Sequence, residues 1–201
     1  MADGAGADQD DVALAGGIAN SGAVVRVGET VRRPATRYSP LVRAVVTHLE
    51  AVGFDRAPWY LGSDGEGRDV FTFIEGEVAV APYPDWAQRD EILREVGALL
   101  RDFHEAMSAF DLGPLWSPEL ADPQGGEDFC HNDVCPENVV FRDGRAVALL
   151  DFDVAPRGAL CGTWPGQRAC GCRWPFPARV GRGWGTWTCG TASRCSLVRT
   201  E

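Results

Sequence analysis

The chain has 201 residues, 45% of them hydrophobic, enough to bury a core in one domain or two small lobes. Its formal net charge of −10 argues against a nucleic-acid-binding body, and no apolar run approaches the ~20 residues a membrane-spanning helix needs. The first segment, MADGAGADQDD, is small and acidic, without a basic or apolar signal region, so residues 1–12 are expected to be a disordered lead-in to a cytoplasmic protein.

In chain order, residues 14–34 read as three strands separated by a Gly-rich turn and by a tight turn at Gly28-Glu29. SPLVRAVVTHLEAVGF reads as a helix, with Ser39 as its N-cap, Pro40 in its first turn and Gly53 at its end. Leu41, Val42, Val45, Val46 and Leu49 form its apolar stripe. WYLGSDGEGRDVFTFIEGE reads as a strand pair around a Gly-rich turn, followed by a connector. Residues 85–106 read as a second helix. Asp85 and Gln88 form a capping-box pattern, and Ile92, Leu93, Val96, Leu99, Leu100 and Phe103 recur at helical spacing. Residues 107–128 read as loop. Trp59, Trp86 and Trp116 read as packing residues, His104 as an ordinary helix histidine, and Cys130 and Cys135 as buried thiols of a reducing compartment.

The densest stretch is CHNDVCPENVVFRDGRAVALLDFD, residues 130–153. NVVF and AVALL flank Asp143-Gly144, a favoured two-residue hairpin turn. If Arg142 pairs with Arg145, Asn138 lies opposite Leu149 and Asp151 opposite Pro136, so both emerge at the open end of one hairpin with Asp133 in the loop that feeds it. Hard oxygen ligands from an Asp and an Asn suit Mg²⁺, and a second Asp nearby, free of the metal, suits proton acceptance from a hydroxyl. Such groups are the minimal parts for phosphoryl transfer from a nucleotide.

HNDVCPEN followed by LLDFD resembles the catalytic core of the aminoglycoside phosphotransferase family, a branch of the protein-kinase-like fold. The resemblance covers roughly residues 14–155. It implies an α+β fold of two lobes: a small antiparallel-sheet N-lobe with its hinge over 13–78, then a partial helical C-lobe over 79–155. It implies ATP or GTP as donor, a small-molecule hydroxyl as acceptor, Asp133 as catalytic base, and Asn138 and Asp151 as holders of Mg²⁺. His131 would brace the loop, and Asp153 is a secondary candidate for metal or loop support. Gly16 and Gly17 resemble the nucleotide loop. Arg33, with Arg32 second, stands where the family has a phosphate-binding lysine, and Glu50 is the one acid the first helix offers it as a partner. FIEGEV, residues 73–78, resembles the hinge that meets adenine. An acidic body favours a cationic acceptor. The alternative is a non-catalytic kinase-like fragment without the helices that bind the acceptor.

The stretch that follows is different in kind. Residues 1–153 hold 12 Arg against 28 acids, a balance of −16, whereas residues 154–201 hold 7 Arg against one acid, a balance of +6. The last 48 residues also hold five of the seven Cys and four of the seven Trp. Cys161, Cys170, Cys172, Cys189 and Cys195 allow a zinc module, but their spacing lacks paired CxxC knuckles. The family's pattern calls here for a helix with a Trp-Asp-Leu motif. Residues 156–201 instead read as a disordered, atypical tail of Arg, Gly, Pro, Cys and Trp, the mixture that out-of-frame translation of GC-rich DNA yields. Without such helices, the second helix and the hairpin are expected to expose apolar surface. Translating the other two frames of the gene beyond codon 153 is expected to reveal a helix with Trp-Asp-Leu; failure of both frames to extend the resemblance would refute the frame change.

Overall fold

The computed structural model describes residues 12–14, 23–111, 113, 128–131 and 133–153, and strand segments between 157 and 198. Gly16, Gly17, Trp116, Cys161, Cys170 and Cys172 lie outside the described residues, as does most of the 107–128 loop. The fold is α+β: a small antiparallel sheet with one helix comes first in the chain, followed by a second helix and a β-hairpin.

The first lobe is a five-stranded antiparallel sheet of β1 (Val12–Ala13), β2 (Val25–Val27), β3 (Thr30–Arg33), β4 (Tyr60–Ser63) and β5 (Asp69–Thr72), in the order β1-β2-β3-β5-β4. Val27 pairs with Thr30, so Gly28-Glu29 is the two-residue turn, with Gly28 at φ 58°. Helix α1 (Ser39–Ala51) buries its predicted stripe of Leu41, Val42, Val45, Val46 and Leu49. It ends in a Schellman motif, in which Gly53 N–H donates to Glu50 O at 3.0 Å and Phe54 N–H to Leu49 O at 2.8 Å. Gly53 supplies the φ of 79° that this ending requires.

Ser39 does not cap α1. The N-cap is Tyr38, with no side-chain cap bond, and Ser39 is the first helical residue. Its hydroxyl donates instead to Asp69 Oδ2 at 2.5 Å and accepts from Thr36 N–H at 2.9 Å. Asp69 is fully buried, so an unpartnered carboxylate there would carry a large desolvation cost. Arg43 Nε, at 2.9 Å from Asp69 Oδ1, offsets that cost and ties α1 to β5.

The second lobe is built on α2 (Asp90–Met107) and a hairpin of β7 (Val139–Arg142) and β8 (Arg145–Leu149). The capping box does not form: Asp85–Gln88 is a separate turn of 3₁₀ helix, Gln88 Nε2 donates to Tyr83 O, and α2 begins at Asp90. The apolar stripe of α2 is buried as predicted and joins Phe141, Leu149 and Phe152 in one core. Trp86 packs edge-on against Phe141, at 5.2 Å between ring centroids. Trp59, by contrast, is 44% exposed and is not a packing residue.

Further described strands are β6 (Asp128–Phe129), paired with β9 (Arg157–Gly158), and a three-stranded antiparallel sheet of β10 (Trp174–Pro175), β11 (Trp184–Gly190) and β12 (Arg194–Val198). Cys189 and Cys195 are register partners in that sheet. β12 runs alongside α2. The exposed apolar surface expected on α2 and the hairpin is therefore not found: Leu93, Val96, Leu100, Val139 and Leu149 are all buried.

The connector between the lobes runs along the outer edge of β7. Glu77 N–H donates to Phe141 O at 2.9 Å, and Phe141 N–H donates to Glu77 O at 2.7 Å. Gly76, at φ 148°, makes this approach possible, because a Cβ there would lie 2.5 Å from Val140 Cγ1 and 2.6 Å from Phe141 O. The second of these is backbone and cannot move aside without breaking the pairing. Gly76→Ala is expected to destabilise the chain by about 2–4 kcal/mol, read as a lower midpoint in urea unfolding, whereas Gly65→Ala, in open space, is expected to change the midpoint little.

Candidate active site

The hairpin turn is as predicted, with Asp143 at φ 52° and Gly144 at φ 73°. The register is not. Arg142 pairs with Arg145 and Phe141 with Ala146, but Val140 pairs with Ala148 and Val139 with Leu149, so Val147 forms a bulge. Past the bulge the register moves by one residue, and Leu150 N–H donates to Asn138 O at 2.8 Å. Asn138 thus faces Leu150, not Leu149, and Asp151 follows directly beyond that rung. Both residues still leave the hairpin at its open end.

Four contacts fix this end. Asn138 Nδ2 donates to Asp133 O at 2.9 Å and to Asp133 Oδ2 at 3.1 Å, which folds the loop onto the hairpin and leaves the Asn138 carbonyl oxygen for another partner. His131 Nε2 lies 2.8 Å from Leu150 O. A carbonyl only accepts, so Nε2 carries the proton, and Nδ1 faces Asp133 N–H at 3.4 Å. The imidazole is buried, 4.9 Å from the Phe152 ring and 6.2 Å from the Phe103 ring.

Asp151 turns out of the hairpin at φ 60°, a left-handed conformation that is unusual outside glycine and that gathers at functional sites. One of its oxygens, Oδ1, is buried without a hydrogen-bond partner, and its nearest cation is Arg33 Nη1 at 3.7 Å. Burial pushes the Asp151 carboxyl above its ordinary range; Asp153 and Asp133 push it further, and Arg33 opposes them. Arg33 Nη2 also binds Asp153 Oδ1. The end of β3 and the DFD segment therefore meet across the lobes.

Of the residues singled out by sequence, Asp133, Asn138, Asp151, Asp153 and Arg33 come together here. Glu50 does not join them: it is exposed near the end of α1, and the partners of Arg33 are Asp153 and Asp151. Arg32 points elsewhere, with Nη1 3.9 Å from Asp64 Oδ2. Sequence reasoning missed Asp153 as a partner of Arg33, although its spacing of two from Asp151 was legible. Cys135, beside the loop, is no nucleophile, because burial and the neighbouring Asp133 and Glu137 push its thiol up to about 12.

Mg²⁺ is tested by the donors present. A buried carboxylate oxygen without a hydrogen-bond partner, held among like charges, is a hard-oxygen donor that suits this ion, and the Asn138 amide oxygen at the same end of the hairpin is a second of the same kind. Among the described residues no group of three or more His, Cys, Asp or Glu could by itself hold a metal, so substrate oxygens would have to complete the coordination.

Two solved structures similar to this chain belong to a class of small-molecule phosphotransferases. The macrolide 2′-phosphotransferase MphH from Brachybacterium faecium, an apoenzyme, aligns with TM-score 0.47 and 16% identity, over 68% of this chain and 63% of that one. The aminoglycoside phosphotransferase APH(2″)-Ib, bound to ADP, aligns with TM-score 0.46 and 15% identity, over the same shares. Among curated proteins, the chain is similar to the trifolitoxin immunity protein of Rhizobium leguminosarum bv. trifolii, at 35% identity over 152 residues. That match takes in 73% of this chain and 56% of the relative, so the chain spans about half the length of that protein. No protein-family model matches the chain.

The buried His131 sets a pH dependence. Burial holds its imidazole down to about 4 from an ordinary 6.5, so between these values the unfolded chain binds a proton that the folded chain does not. Its contribution to stability is intact above pH 6.5 and is lost as pH falls toward 4. Between pH 7 and pH 5 it should lower the unfolding free energy by about 2 kcal/mol, and His131→Gln should remove that part of the slope in urea unfolding followed across the range.

Proposed function

We propose that the chain carries a phosphotransferase site that moves the γ-phosphate of ATP, or of GTP, to a hydroxyl of a small molecule. The observation that carries this reading is the meeting of Asp133, Asn138 and Asp151 at the open end of one hairpin, with the Arg33 guanidinium reaching them from the other lobe. The lobes would divide near residue 78, where the connector leaves β7, and connector backbone groups not spent on Phe141 would meet a nucleotide base. Asn138 and Asp151 would hold Mg²⁺, which when bound neutralises phosphate charge and aligns the phosphate chain. Arg33 would bind phosphate oxygens, and Asp133, positioned by Asn138, would accept the proton of the acceptor hydroxyl. Positioning contributes much of the rate in such transfers, so the His131 and Asn138 contacts that hold the loop matter as much as the acids.

A second reading is a non-catalytic kinase-like chain. It is favoured by Arg33, which sets an internal cation against the acid proposed to hold the metal. The relative's name adds that a protein similar to this one confers immunity to trifolitoxin. A role in toxin resistance is compatible with either reading: the first by modifying a hydroxyl of the toxin, the second by binding alone.

Calorimetric titration with ATP in the presence and absence of Mg²⁺ separates the two. The first reading expects Mg²⁺-dependent binding, and expects Asp133→Asn to keep that binding while lowering phosphate transfer at least about 100-fold. Binding indifferent to Mg²⁺, or full turnover in Asp133→Asn, would sink it.

A further inference from the structure

Arg33 stands at the end of β3 with a side chain only 12% exposed. Its guanidinium lies 5.6 Å from the Phe71 ring, and its three nitrogens have three different surroundings: Nη2 meets Asp153, Nη1 lies 3.7 Å from Asp151, and Nε is buried without a hydrogen-bond partner. The only acid of α1, Glu50, is exposed. A cation of this kind needs a fixed anion to hold it in place, and the helix expected to supply one does not.

We propose that Asp153 is the positioning residue for Arg33: it pins one edge of the guanidinium so that the remaining donors face the phosphates of a bound nucleotide. This rests on the nucleotide site proposed above and adds to it the source of the brace. A planar guanidinium can engage two acids at once, which the point charge of a lysine cannot do in the same way. Asp151 and Asp153 are two residues apart on one turn of backbone, so the segment that carries the proposed metal ligand also carries the brace. Metal and phosphate binding are then coupled through a single short segment instead of through α1. The buried Nε–H, unpaired, gives the assembly a donor that a phosphate oxygen would satisfy.

The test is calorimetry with a non-hydrolysable ATP analogue and Mg²⁺ on the full chain, for wild type, Asp153→Asn, Arg33→Ala, their double variant and Glu50→Gln. Asp153→Asn should weaken Kd about tenfold, Glu50→Gln should leave it unchanged, and the double variant should bind no more weakly than Arg33→Ala alone. A merely structural Asp153 would not show that non-additivity in nucleotide affinity. Wild-type affinity in a folded Asp153→Asn, or full additivity in the double variant, would overturn the assignment while leaving the nucleotide site standing. Absence of binding by the wild type would overturn both. Should Asp153→Asn fail to fold, Arg33→Lys serves instead: its ammonium should weaken Kd about threefold or more, and wild-type affinity would again refute the brace.

Discussion

The candidate site depends on one buried contact, the hydrogen bond from the His131 imidazole to Leu150 O. It joins the loop that carries Asp133 to the backbone immediately before Asp151, beside the hairpin rung at which Leu150 N–H meets Asn138 O. The ring between Phe103 and Phe152 excludes water, and burial keeps it neutral, so a single tautomer is enforced and the bond has one geometry. A buried donor that lost this acceptor would carry its whole desolvation cost, which makes alternative loop positions expensive. Phe103 comes from α2 and Phe152 from the segment after the hairpin, so the core that closes the second lobe is also what aims the acids.

The parts of the fold legible from sequence were those with a short-range cause. The Asp143-Gly144 turn followed from residues that accept positive φ, and the stripes of α1 and α2 from helical spacing. The errors lay where a distant partner overrode a local preference. Ser39 is a good cap by type, but the buried Asp69, thirty residues away, claims its hydroxyl. Asp85 and Gln88 have the spacing of a capping box, yet the chain breaks at Arg89, whose extended backbone separates the 3₁₀ turn from α2. The bulge at Val147 moved Asn138 from Leu149 to Leu150, and no local pattern in AVALL announces it.

The site divides along the same line. Asp133, Asn138 and Asp151 were gathered correctly because a hairpin is a local structure, and an error of one residue in register still brings them out at the same end. The partner of Arg33 was not legible, because Arg33 and Asp153 are 120 residues apart and their contact is set by how β3 packs against the segment after the hairpin. A helix acid was the natural expectation, and α1 offered one near its end, but the buried face of α1 is wholly aliphatic apart from Ser39. The acid that reaches Arg33 comes from the lobe that also carries the hairpin.

Charge explains why that contact is an ion pair and why the pair leaves room for more. Asp151 stands among two like charges and is partly withdrawn from water, so its ionised form is disfavoured unless cations approach it. Arg33 supplies one positive charge but spends its Nη2 contact on Asp153, and its approach to Asp151 Oδ1, at 3.7 Å, is too long for a hydrogen bond. The segment is therefore only partly neutralised by this contact. An added divalent ion would relieve the repulsion among the acids, and a phosphate chain would offer acceptors to Arg33. Each makes the other's binding less costly, since the cation removes negative charge that would repel the phosphates. On the reading proposed above, an acidic site with a buried arginine would in this sense be better matched to a metal and a polyanion together than to either alone.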